Sequence, residues 1–196
     1  MRKLILIRHS LPEMVSGVPA SEWHLSVEGR RRCTALAGRL AAYGPAAVVS
    51  SQEPKAIETG QIVAGTLGLS LETAPGLHEH KRGPVRDLGN REDFEAQVAR
   101  FFEHPDRLVL GYETAHEAHA RFARAIAAAI ERRPGANLAI VSHGTVMTLF
   151  VARATRLDPV LFWKGLGLPS FVVLSLPELA LLEVVTDVAA AGPAHN

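Results

Sequence analysis

After a polar start, Arg2-Lys3, the chain runs through Leu4-Ile5-Leu6-Ile7 and stops at Arg8-His9. An unbroken apolar run closed by a polar pair predicts a strand from Lys3 to Arg8, buried on both faces as parallel strands are. The period then lengthens. Between Trp23 and Gly44, Leu36 and Leu40 lie four apart on one face. Ser26 stands at a natural N-cap and Glu28 in the first turn, so this stretch holds a helix, stopped by Gly44-Pro45. Ala46 to Ser51 predicts a second strand, and Pro54 opens a helix to about Leu67, ended by Gly68. Leu69 to Thr73 completes a third strand.

From about Leu77 to Gly111 no clean period survives, and Pro84, Pro105 and several glycines interrupt the pattern. This segment is expected to leave the core, with one helix near Glu92 to Glu103. An alanine-rich helix follows from Tyr112 to Arg133, ended by Pro134-Gly135. Leu138 to Ser142 predicts a fourth strand, Gly144 opens a helix through about Thr155, and Phe171–Leu176 and Leu181–Asp187 form a closing pair of strands. The tail from Ala189 to Asn196 is expected to fray. Strands alternating with helices predict an α/β class: three layers, α/β/α, around a largely parallel sheet. We expect one domain over 1–196, with 77–111 a small excursion over the active site.

Composition narrows the partners. A formal net charge of +1 leaves no global field suited to nucleic acid or a membrane surface. An anionic ligand must be held by local basic groups. Four apolar residues ahead of Arg8 are too few for a signal peptide. The most apolar stretch, Phe171 to Val185, is broken by Pro177, Glu178 and Glu183, short of the roughly 20 apolar residues a span needs. The single Cys33 excludes an internal disulfide framework and suits a reducing compartment. A soluble, cytoplasmic chain is expected.

Sites in parallel sheets lie at the carboxyl ends of strands, and two strands here end in histidine: Arg8-His9 and Ser142-His143. The plain alternatives are a strand end turning to solvent and a histidine capping the next helix. Gly144 behind His143 lets a ligand approach the helix N-terminus, which favours anions. Lys55 stands near another helix start, where a cation opposes the macrodipole unless it meets an anion; as a surface residue it would simply be solvated. His78-Glu79-His80 and the pair His116 and His119 invite a metal reading, but neither has zinc-ligand spacing, so no metal is expected. Glu79 is the sharper candidate, as a proton donor.

In order, these motifs resemble the histidine phosphatase superfamily, branch 1, which includes phosphoglycerate mutases and many small phosphatases. The family's Arg-His-Gly is here Arg8-His9-Ser10, and its Leu-Thr-x-x-Gly is Leu25-Ser26-Val27-Glu28-Gly29. Its Ser-Ser-x-x-x-Arg-Ala-x-Gln-Thr is Ser50 through Thr59, with Lys55 in the arginine position. Its acidic Leu-x-Glu ends at Glu79, its Gly-Glu-Ser answers to Gly111-Tyr112-Glu113-Thr114 with an extra residue, and its late Ser-His-Gly holds His143.

The resemblance implies a small phosphomonoester as substrate, with no cofactor. His9 would become phosphohistidine and so divide one hard displacement into two. Arg8, Lys55 and His143 would clamp the phosphoryl oxygens, with Ser10 and Gly144 beside them. Glu79 would protonate the leaving oxygen and then activate water, and a backbone carbonyl would hold the other nitrogen of His9. Lys81, Arg82 and Arg86 are candidates for a second anionic group of the substrate, or plain surface charges. Ser10 for glycine and Lys55 for arginine depart from the family, the latter exchanging a two-pronged fork for a point charge. The short chain favours hydrolysis over mutase-like transfer. A catalytically weak phosphate-binding regulator is the alternative of a different class.

Overall fold

The computed structural model describes residues 1–82 and 90–188. Arg86, Pro84 and the tail from Ala189 lie outside the described residues.

Six strands form one sheet: β1 (Arg2–Arg8), β2 (Ala47–Ser50), β3 (Leu71–Thr73), β4 (Leu138–Ser142), β5 (Ser170–Leu176) and β6 (Leu181–Val185). Their order is β3-β2-β4-β1-β5-β6. β1 with β4, β4 with β2 and β2 with β3 are parallel, while β5 runs antiparallel to both β1 and β6. The largely parallel sheet is as the pattern predicts.

Alternation along β1 divides the core. Ile5 and Ile7 face α1 (Val27–Ala41) and α2 (Pro54–Leu67), packing with Leu36, Leu40 and Val63. Leu4 and Leu6 face the other way, in the cluster built by α3 (Arg91–Glu103), α4 (Ala115–Glu131) and α5 (Gly144–Thr155) through Phe101, Phe122 and Met147. These are the three layers. Burying a large side chain of this kind contributes about 1.5–3 kcal/mol, so both faces of the central strands anchor the tips that follow them.

Local chemistry sets the element ends. The Ser26 hydroxyl accepts from the Gly29 N–H, capping α1. Thr114 and Glu117 make a reciprocal capping box on α4. α4 therefore begins at Ala115, and Tyr112 and Glu113 precede it. β3 is shorter than expected, starting at Leu71. One helix was not anticipated, α6 (Pro159–Gly165), capped by Asp158 and packed through Trp163 on Phe94 of α3. Among the described residues no helix is long and apolar enough to cross a membrane.

β4 lies between β2 and β1, so the C-terminal ends of three parallel strands stand side by side. The ladder continues past each end: His9 N–H donates to the Ser142 carbonyl, and Ser51 N–H to that of Val141, both at 2.9 Å. His9, His143 and Ser51 thereby share one edge of the sheet.

Candidate active site

His9 and His143 meet across this edge with ring centroids 5.1 Å apart. His9 Nδ1 lies 2.7 Å from the carbonyl oxygen of Ser10. A carbonyl only accepts, so Nδ1 carries the hydrogen and Nε2 keeps its lone pair. The expected holder of the tautomer is thus the carbonyl of the next residue. Burial, then His143 and Lys55, push the His9 pKa well below its usual value, so the ring stays neutral.

The Ser10 backbone is fixed in turn. Its N–H donates to Thr59 Oγ1, and its hydroxyl donates to the Gly29 carbonyl at 2.7 Å. The side chain that replaces the usual glycine is therefore bonded to the start of α1. Gly29 has no freedom to change: a Cβ there would stand 2.1 Å from the Leu11 carbonyl oxygen.

Arg8 donates through Nη1 to the Leu166 carbonyl at 2.5 Å, while its Nε is buried without a partner. Burial lowers its pKa to about 10, with Glu79 opposing that shift and Arg82 adding to it. The guanidinium lies against Gly144, where a Cβ would come within 3.0 Å of Nε. Gly144 leaves room for this close approach, which a side chain would crowd.

His143 is fully buried, and at the N-cap of α5 it makes no capping bond. Its Nε2 lies 2.9 Å from Ser51 Oγ and 3.4 Å from Glu53 Oε1, and its Nδ1 has no partner. Burial, Lys55 and Arg82 hold its pKa well below the usual histidine range.

The α5 N-terminus is capped by Glu79. Its carboxylate accepts from the N–H groups of Thr145 at 3.1 Å, Val146 at 3.2 Å and His80 at 2.8 Å, and from Arg82 at 3.2 Å. Burial alone would raise the Glu79 pKa, but Arg82 and the amides outweigh it and bring it to about 2.

Lys55 is no surface residue. It is 4% exposed, and its ammonium donates to the Ala20 carbonyl at 2.6 Å and to Glu53 Oε2 at 2.5 Å. Glu53 also accepts the Glu79 N–H at 2.8 Å. Burial raises the Glu53 pKa, against the pull of Lys55. Glu53 and Ser51 are the members of the site that the sequence did not single out. The available signal for Glu53 was its place two residues before a lysine, which needs an acidic partner if buried.

Three further histidines have ring partners of their own. His80 lies 4.1 Å from the Phe101 ring and bonds the Glu113 carbonyl, His116 pairs with Asp106, and His119 stacks on Phe150. Among the described residues no three His, Cys, Asp or Glu side chains come together as a metal set. Glu113 ties the excursion to α4, accepting from Arg121 and from the Lys81 N–H.

A neutral histidine with a free ring nitrogen thus faces an arginine and a second histidine at a helix start: the makings of nucleophilic attack on an anion. The histidine phosphatase superfamily (branch 1) pattern matches residues 4–177, and the chain belongs to that family. By sequence, no curated protein matches it.

Solved structures share the fold. A mycobacterial glucosyl-3-phosphoglycerate phosphatase in complex with VO3 is 22% identical at a TM-score of 0.73, covering 95% of this chain and 99% of that one. A phosphoserine phosphatase from Entamoeba histolytica, in complex with 3-phosphoglyceric acid, is 18% identical at a TM-score of 0.72, covering 95% and 98%. Bacillus stearothermophilus YhfR is 20% identical at 0.71, covering 94% and 96%.

Proposed function

We propose that the chain is a phosphatase that hydrolyses a small phosphomonoester through a phosphohistidine on His9. The observation that carries this is the His9 ring: neutral, with Nδ1–H tied to the Ser10 carbonyl and Nε2 left as a nucleophile. In the first step Nε2 bonds to phosphorus as the bond to the ester oxygen breaks, and Glu79 delivers a proton to that oxygen. In the second step water attacks the phosphohistidine, Glu79 takes the proton, and inorganic phosphate leaves. Arg8 and Lys55 balance charge on the phosphoryl oxygens, His143 completes the clamp as a neutral hydrogen-bonding ring, and Gly144 lets the group approach α5. Ser10 acts through its backbone, with its hydroxyl held by Gly29.

The scheme uses no cofactor and no metal. Glucosyl-3-phosphoglycerate and phosphoserine, named for the similar structures, indicate the size of substrate to test. A cytoplasmic location is part of the same proposal. One observation favours a second reading, a phosphate-binding regulator with little turnover: the Lys55 charge is paired with Glu53.

The test is release of inorganic phosphate from p-nitrophenyl phosphate and a panel of phosphorylated metabolites, with His9→Ala as control. Turnover that vanishes in His9→Ala supports the phosphatase. Tight phosphate binding without turnover of any ester would decide for the regulator.

A further inference from the structure

Arg82 belongs to a basic run suited, on sequence, to a second anionic group of the substrate. The structure puts its guanidinium at the start of α5. Nη2 donates to Thr145 Oγ1 at 2.7 Å and to Glu79 Oε2 at 3.2 Å. The group lies over the Phe94 ring, 4.9 Å from its centroid, and its side chain is 20% exposed. Its Nε is buried and has no partner.

A buried N–H without an acceptor forfeits its bond to water with nothing in return. Arg8 has the same deficit at Nε, and His143 Nδ1 at the same helix start is likewise buried without a partner. Arg82 is near enough to both that its charge lowers their proton affinity. Lys55, by contrast, is bonded to Ala20 and Glu53. The two unmet guanidinium donors, on Arg8 and Arg82, therefore lie with His143 at this helix start, while His78 and His80 also keep an unpartnered ring nitrogen each.

We propose that Arg82 is a ligand of the transferred phosphoryl group, exchanging its bond to Glu79 for one to the phosphate when substrate enters. This rests on the phosphatase reading above and adds a residue to its clamp. A guanidinium suits the role because its planar fork can bond a phosphate with two N–H groups.

The exchange also prepares the acid. In the free site, Glu79 faces Arg82, Arg8, His78 and His80, which favour its charge, and the Glu53 carboxylate, which opposes it. Arg121 bonds only its backbone carbonyl. With Arg82 drawn onto the phosphate and a second anion close by, the Glu79 carboxylate binds a proton more readily. The monoanionic form of the ester supplies that proton, which passes to Glu79 and then to the leaving oxygen as the phosphorus–oxygen bond breaks. Atoms and charge balance with the substrate alone. Glu79 becomes an acid only when the clamp is filled.

Inorganic phosphate is the probe. The Nε–Hε resonances of Arg8 and Arg82, assigned through Arg8→Lys and Arg82→Lys, should both move as wild-type protein is saturated with phosphate. Phosphate affinity should fall about thirtyfold in Arg82→Gln and less in Arg82→Lys, with thermal melts confirming that both fold. Movement of the Arg8 resonance alone, with affinity unchanged in both Arg82 variants, overturns the Arg82 assignment and leaves the phosphatase reading standing. No movement at either arginine at any phosphate concentration overturns both.

Discussion

The ends of β1 and β4 differ from the junction of β2 with α2, although all three lie on the same edge of the sheet. At β1 and β4, Arg8, His9 and His143 are held through one side each, and Arg8 Nε and His143 Nδ1 keep unused bonding capacity. At β2–α2 the chain has closed its own circuit: Lys55 bonds Glu53, and Glu53 bonds back to the Glu79 N–H. One end keeps polar atoms unpartnered, while the other supplies its own counter-charge. A buried cation at a strand end therefore says little about ligand binding until its partner is known.

The contrast predicts unequal losses. Arg8→Ala removes a cation with donors to spare, and kcat/KM for a phosphomonoester should fall about a thousandfold with little change in unfolding free energy. Equal losses in both quantities would give Arg8 a structural role. Lys55→Ala should divide differently, lowering kcat/KM about a hundredfold and leaving Glu53 buried and unpaired, at a stability loss of about 3–5 kcal/mol. Lys55→Arg should outperform Lys55→Ala. Denaturant melts of Lys55→Ala beside Lys55→Met/Glu53→Gln sharpen the point, since removing both charges should recover most of the loss. Near wild-type kinetics and stability in Lys55→Ala would erase the difference between the two junctions.

A smaller effect concerns acid. The Glu79 pKa falls on folding from the ordinary 4.5 to about 2. A depressed carboxylate stabilises the fold above its unfolded pKa, and that contribution is lost as pH drops toward the folded value. Wild type should therefore lose stability between about pH 4.5 and about pH 2 more steeply than Glu79→Gln, measured by urea melts across that window. Parallel curves would show that the amides and Arg82 do not hold the charge. The smallest expected effect is none: exhaustive chelation should leave turnover unchanged. Loss restored by one divalent ion would return attention to His78, Glu79 and His80.

Much of this was legible in the chain because strand ends announce themselves. Leu4 to Ile7 followed by Arg8-His9, and Leu138 to Val141 followed by Ser142-His143, mark both the buried strands and the two histidines that meet at their ends. Pro54 at a helix start placed Lys55 correctly in the fold. Its burial did not show, because local pattern cannot tell a solvated lysine from one paired with Glu53. α6 leaves no readable period because it has only seven residues, although Asp158-Pro159 carries an N-cap and a first-turn proline. The first helix starts at Val27, directly behind Ser26, as the cap predicts. The bonds of Glu79 to α5 depend on the path of an aperiodic loop, which spacing does not encode. The match of branch 1 over residues 4–177 confirms what the ordered motifs implied about family.

The central claim is a covalent phosphoryl group on His9. A rapid quench with labelled phosphomonoester tests it most directly, because a phosphohistidine is labile in acid and stable in base. Wild type should give a phosphoprotein with that stability within one turnover, and His9→Ala should give none and turn over no substrate. Robust turnover by His9→Ala, or an acid-stable phosphoprotein in wild type, would contradict the account.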